Sequence, residues 1–88
     1  MALDSAPALG SVVEDFVGVR FKMRDGQTIV DCIVSREALQ DRGARDGRSH
    51  VDLADLFASY RSEIEDIAAK KHAAGIAEPK VTSAELAP

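Results

Sequence analysis

The sequence contains no tryptophan and only four other aromatic side chains, Phe16, Phe21, Phe57 and Tyr60. Any core must therefore be mainly aliphatic, and no run of interleaved aromatics offers a stacking platform for bases. A single cysteine, Cys32, excludes an internal disulfide. One cysteine and two separated histidines, His50 and His72, do not make a metal cluster, so neither a metal nor another cofactor is expected. A reducing compartment fits this cysteine usage. No apolar run approaches the roughly 20 residues of a membrane span. The first residues also lack the positive start and apolar stretch of a secretory signal. A cytoplasmic location without membrane contact is the expectation. A basic excess is missing too: the net charge is −4, which argues against broad electrostatic binding to nucleic acid or anionic lipid.

What is present suits one small globular domain. Hydrophobic residues make up 45% and charged residues 30% of the 88 positions, an ordinary balance. A chain of this length buries about 60% of its unfolded surface, so its stability is marginal or aided by self-association. Residues 1–14 read as a flexible lead-in with a short ordered patch near Val12 and Val13. Residues 15–86 read as a single α+β domain, and residues 87–88 as a tail.

Phe16 to Met23 alternates as a strand. Asp25-Gly26 is a strong hairpin turn signal. Thr28 to Val34 resumes as a β-branched strand pairing antiparallel with the first. Val19, Phe21, Val30, Cys32 and Val34 are assigned to the buried face. Ile29, Asp31 and Ile33 then point the other way, and two outward isoleucines call for cover from the chain ends or from a partner. Ser35 is a helix N-cap, with Glu37 at the positive helix end. The spacing predicts a short helix over 36–41, with Ala38 and Leu39 inward, and a mobile polar loop from Gly43 to His50.

The strongest pattern follows. Leu53, Leu56, Phe57, Tyr60, Ile64, Ile67 and Ala68 recur at steps of three and four, which stacks them on one face of a helix of about six or seven turns. Asp52 and Asp55 at its start, and Lys70, Lys71 and His72 at its end, complement the helix dipole. Gly75 stops it. A brief extended segment after Pro79 and a last helical turn, capped by Thr82 or Ser83 and ending at Leu86, complete the chain. The expected fold is α+β: a small antiparallel sheet built on the hairpin, packed against one long C-terminal helix, with a short helix between.

Two motifs point to a family. The run Cys32-Ile33-Val34-Ser35-Arg36-Glu37-Ala38-Leu39 is followed by a helix carrying Phe57-x-x-x-Arg61-x-x-Ile64-x-x-Ile67-Ala68. Together with the order of elements, this resembles the small bacterial domains catalogued as DUF1488, over roughly Phe16 to Leu86. The tail Thr82-Ser83-Ala84-Glu85-Leu86 departs from the acidic or aromatic finish that the family leads one to expect. Both motifs are packing and capping patterns. The resemblance implies an α+β fold and a bacterial cytoplasmic setting, and it carries no activity.

The residues that could carry chemistry each have a simpler reading. Cys32 could be a nucleophile if its thiol were acidified, but it lies in an apolar strand and reads as a core residue. His50 and His72 have no partner at a diagnostic spacing. Glu63 and Glu65 diverge around the helix, and with Asp66 they read as a solvated acidic surface. Arg61 can pair with Glu65, or hold a carbonyl or carboxylate from the hairpin. Two groups of cations form the candidate interaction surface: Arg20, Lys22 and Arg24 on one face of the first strand, and Arg42, Arg45 and Arg48 around the glycine-containing loop. The first could touch phosphates, but the net charge weighs against it. The sequence therefore points to a non-catalytic interaction or regulatory module whose partner is another protein or a second copy. A nucleic-acid-binding accessory role on the basic hairpin face and arginine-containing loop is the weaker alternative, and an enzyme built on Cys32 is weaker still.

Overall fold

In the computed structural model, residues 4–5, 13–48 and 50–87 are described. The frame is a β-hairpin. β3 (Gly18–Asp25) and β4 (Thr28–Ser35) run antiparallel in unbroken register from Gly18↔Ser35 to Asp25↔Thr28. A two-residue loop, Gly26-Gln27, joins them. Gly26 takes a positive φ of 62° and Gln27 does not, the pattern of a type II′ turn, whose twist suits the flanking strands. Two short strands from the N-terminal region, β1 (Asp4–Ser5) and β2 (Val13–Glu14), pair antiparallel with β3. The rest of the expected lead-in over residues 1–14, including the patch at Val12, lies outside the described residues, as does Pro88 of the tail.

The alternation along the hairpin sorts the two faces as expected. Val19, Phe21 and Met23 sit directly across from Val34, Cys32 and Val30, and all six are buried. Arg20, Lys22 and Arg24 face Ile33, Asp31 and Ile29 on the other side. β3 begins at Gly18 rather than at Phe16, because Asp15 diverts the chain. Its carboxylate accepts from the amides of Val17 and Gly18 at 2.8 and 3.2 Å, and its own amide donates to the Gly18 carbonyl. These bonds make a tight turn in place of the first strand residues.

α1 (Arg36–Arg45) starts at Ser35, whose hydroxyl accepts from the Ala38 amide at 3.0 Å. This helix is longer than the 36–41 expected and absorbs the first part of the predicted mobile loop. Gly43, assigned to that loop, is buried within the helix. A side chain there would meet Leu56 at 2.8 Å, so the glycine lets the next helix approach closely. Of the remaining loop, Ser49 lies outside the described residues.

α2 (Leu53–Ala73) buries Leu53, Leu56, Phe57, Tyr60, Ile64 and Ala68, with Ile67 half-buried. This is the predicted stripe, and it ends at Gly75 with φ 98°. β5 (Lys80–Val81) then pairs with β4 in parallel, Ile33↔Lys80 and Val34↔Val81. The sheet is thus mixed rather than purely antiparallel. The reason is topological: after β4 the chain crosses the sheet through α1 and α2 and returns in the same direction. α3 (Ser83–Leu86) is capped by Thr82, whose amide donates to Glu85 at 3.0 Å, and Leu86 enters the core. Buried residues from all three helices join one apolar cluster with the inner face of the sheet. Among the described residues, no helix covers the opposite sheet face.

Two substitutions test this packing. Ile64 is fully buried, so Ile64→Ala should cost about 2–5 kcal/mol and lower the melting temperature by roughly 10 °C or more. Gly18→Ala should do similar damage for a different reason. Its Cβ would lie 2.0 Å from the Val34 carbonyl oxygen, flanked by the Arg36 amide. Backbone surrounds it, so the loss should reach or exceed the upper end of the roughly 1–3 kcal/mol typical of overpacking. Thermal unfolding of both variants is the measurement.

Candidate functional site

The open sheet face is the first candidate. Its rows are Arg20, Lys22 and Arg24 on β3, Ile29, Asp31 and Ile33 on β4, and Lys80 on β5. Ile29 is 41% exposed and Ile33 half-buried. Within this face Lys22 pairs with Asp31 at 2.8 Å, and Arg20 pairs with Asp15 at 2.5 Å. The Arg20 guanidinium, helped by the Val17 amide, holds the Asp15 carboxyl below the usual carboxylate range. The strand period therefore brings the three predicted β3 cations together, with isoleucines beside them.

The arginines beyond the hairpin are placed differently. Arg42 lies on α1 and stacks over the Tyr60 ring, with its guanidinium carbon 4.6 Å from the ring centroid. It also binds Glu63 of α2 at 3.2 Å and Asp46 at 2.9 Å. Arg48 approaches the same ring at 5.6 Å. The Tyr60 hydroxyl donates to Asp46 at 2.7 Å. That bond, with the arginines nearby, keeps the Asp46 carboxyl below its ordinary value. Arg42 and Arg48 are thus drawn into a cluster that ties α1 to α2 through Tyr60, while Arg45 ends α1 exposed. The structure does not merge these residues with the hairpin row into one surface.

His72 and Asp25 form a contact that the sequence did not suggest. The His72 Nε2 atom lies 2.9 Å from Asp25 Oδ2, joining the end of α2 to the end of the hairpin. The other polar atoms, His72 Nδ1 and Asp25 Oδ1, are buried without a partner. The dyad therefore turns no free nitrogen or oxygen toward solvent, and its geometry is that of a clasp. The two residues are 47 positions apart, and no local spacing could have revealed the pair. His50 is exposed.

The acidic residues of α2 separate as their angles require. Glu63 turns to Arg42, and Glu65 pairs with Arg61 at 3.2 Å. Asp66 is exposed. Arg61 also lies over the Phe57 ring at 5.3 Å, so the carboxylate it holds comes from its own helix and not from the hairpin. Glu85 accepts from Lys71 at 2.7 Å. Burial opposes its ionisation, but the ammonium and the Thr82 donors outweigh that and lower its pKa. Among the described residues there is no group of three metal-binding side chains, and no helix is long and apolar enough to cross a membrane.

Cys32 is buried at 3% exposure, with its sulfur 3.7 Å from the Val30 carbonyl oxygen. Burial, assisted by the negative charges of Asp31 and Glu65, pushes its thiol up to about 12. A thiol so placed is protonated near neutrality and is a poor nucleophile, in line with its reading as a core residue. The unfolded chain would ionise it near 9.0. The stabilisation from keeping it protonated is complete below pH 9 and is lost as pH rises toward 12, because only the unfolded state then gains the thiolate. Denaturant titrations should show native stability falling over this window. The fall should be shallower in Cys32→Ala than in wild type, and the native thiol should resist alkylation at pH 7.

Comparison with known proteins identifies a family and adds no chemistry. No curated protein and no solved structure matches the chain. A family model described as a protein of unknown function, DUF1488, matches residues 8–82. The match takes in the hairpin, both longer helices and β5, and ends at Thr82, whereas the resemblance read from the sequence runs from Phe16 to Leu86. The chain therefore belongs to the DUF1488 family.

Proposed function

We propose that this domain is a non-catalytic interaction module of the bacterial cytoplasm, and that it meets an acidic, partly apolar protein surface through its open sheet face. The observation that carries this reading is the composition of that face. Of seven side chains across β3, β4 and β5, four are cations, one is a carboxylate and two are isoleucines. Lys22 and Arg20 are paired with Asp31 and Asp15, so in a chain with a net charge of −4 the local excess that favours a partner of opposite charge rests on Arg24 and Lys80. The isoleucines supply the apolar contact that a salt-screened charged patch alone lacks. The placement of Cys32, His72 and Glu63 in packing and pairing roles supports the non-catalytic part of the reading.

A second reading rests on the row Arg20, Lys22 and Arg24 along one strand, which could follow a phosphate backbone. One experiment separates the two. A photoactivatable residue at position 29 should cross-link to a discrete acidic protein, whereas the same group at Ala58, exposed on α2, should not. Retardation of RNA or DNA by the full chain at low salt, lost as salt is raised, would replace the protein-binding reading with the nucleic-acid one.

A further inference from the structure

One feature of the surface lies outside the sheet face. Phe16 is 95% exposed and Val17 is 43% exposed, yet the turn that carries them is densely bonded. Asp15 accepts from the amides of Val17 and Gly18, and its amide donates to the Gly18 carbonyl at 2.8 Å. Arg20 grips the same carboxylate. From α1, the Arg36 guanidinium donates to the Asp15 carbonyl at 3.0 Å and to the Phe16 carbonyl at 3.4 Å, and the Arg36 amide donates to the Val17 carbonyl at 2.9 Å. Gly18 lets the turn press against the Val34 and Arg36 backbone, where any side chain would collide. The polar bonds of the turn are made internally, and the side chain left over is an aromatic ring held out in water.

A large apolar side chain gains nothing for folding in that position, since it removes almost none of its surface from solvent. A rigid backbone beneath it does lower the cost of binding, because the loop need not be ordered when a partner arrives. We propose that Phe16 is a preorganised anchor that inserts into an apolar pocket of a different protein. This rests on the reading of the domain as an interaction module and names the residue that carries the contact. Surface area argues for a different protein over a second copy. A phenylalanine buries about 150–250 Å², so two such turns meeting ring to ring would fall well short of the roughly 1,200 Å² of a stable interface. A single ring enclosed by a pocket can instead dominate binding from a small area. The Arg36 guanidinium beside the turn, whose bonds go to the neutral carbonyls of Asp15 and Phe16, suits an acidic residue at the rim of such a pocket.

The test uses the full chain in the cells that make it. Benzoylphenylalanine replaces Phe16 in one version, Ile29 in a second and Ala58 in a third. The expected result is a discrete adduct with another protein from position 16 and none from position 58. That protein, purified, should bind the wild-type chain, lose about 30-fold or more in affinity for Phe16→Ala, and retain most of it for Phe16→Leu. Phe16→Ala should melt with wild type, because the ring is 95% exposed. An adduct from position 16 only with a second copy, or a partner whose affinity is unchanged by Phe16→Ala, overturns the proposal. A partner captured from position 29 but not from position 16 overturns the anchor and leaves the interaction module standing. Silence from both positions overturns both.

Discussion

The contact between the α2 stripe and the inner face of the hairpin is the constraint on which the other features depend. Phe57 meets Phe21 with ring centroids 5.1 Å apart and planes tilted by 47°, a geometry that offset aromatic pairs favour. Ile64 and Ala68 continue the contact, both fully buried. Each large side chain so buried contributes about 1.5–3 kcal/mol before the entropy of ordering is subtracted. A domain of this length has few other sources of stability. Its single thiol makes no cross-link, and the residues that could contribute charge are mostly at the surface, where ion pairs add little.

Polar contacts set the position of α2 once the stripe has brought it down. They occur at separate places along the helix. Tyr60 and Glu63 hold Asp46 and Arg42 of the α1 region. Lys71 holds Glu85 of α3, and His72 holds Asp25 at the hairpin end. Apolar burial alone tolerates sliding and rotation of a helix, because it is non-directional. Four directional contacts to three different elements remove that freedom. His72, Glu63 and Arg42, each weighed as a possible site residue in the sequence, are among those that fix the helix.

The parts of the fold legible in the sequence were those governed by local periodicity. Alternation over Val19–Met23 and Val30–Val34 identified the buried face, because a strand has only two faces and one of them carried the cations. The three- and four-residue spacing identified α2 for the same reason. Misreadings came where a long-range contact decided the outcome. Gly43 reads as a loop residue, but Leu56 needs the space its missing side chain leaves, so it lies inside α1. Phe16 reads as the first residue of a strand, yet Asp15 and Arg36, the latter 20 residues on, fold that stretch into a turn. The parallel pairing of β5 follows from the path through two helices, which no pattern within Lys80–Val81 could express. Of the candidate surface, the row Arg20, Lys22 and Arg24 was legible through strand period alone. The fate of Arg42 and Arg48 was not, because the Tyr60 ring that receives them belongs to another element.

This division explains why the functional reading settles on the surface. The helices and the inner sheet face consume the large apolar residues and most of the ionisable groups that could act in pairs. Among the described residues, what the core does not take up is the second face of the sheet and the turn at its corner. A two-layer fold with helices on one side leaves such a face open by construction, and antiparallel sheets tolerate water there when their outer residues are polar. Here the outer residues are polar only in part. Ile29 is 41% exposed, and Phe16 at 95% gains the fold almost nothing, yet a dense set of hydrogen bonds holds its turn in place. A ring 95% exposed on a turn bonded to both Asp15 and Arg36 is the part of this surface that the proposed partner would engage.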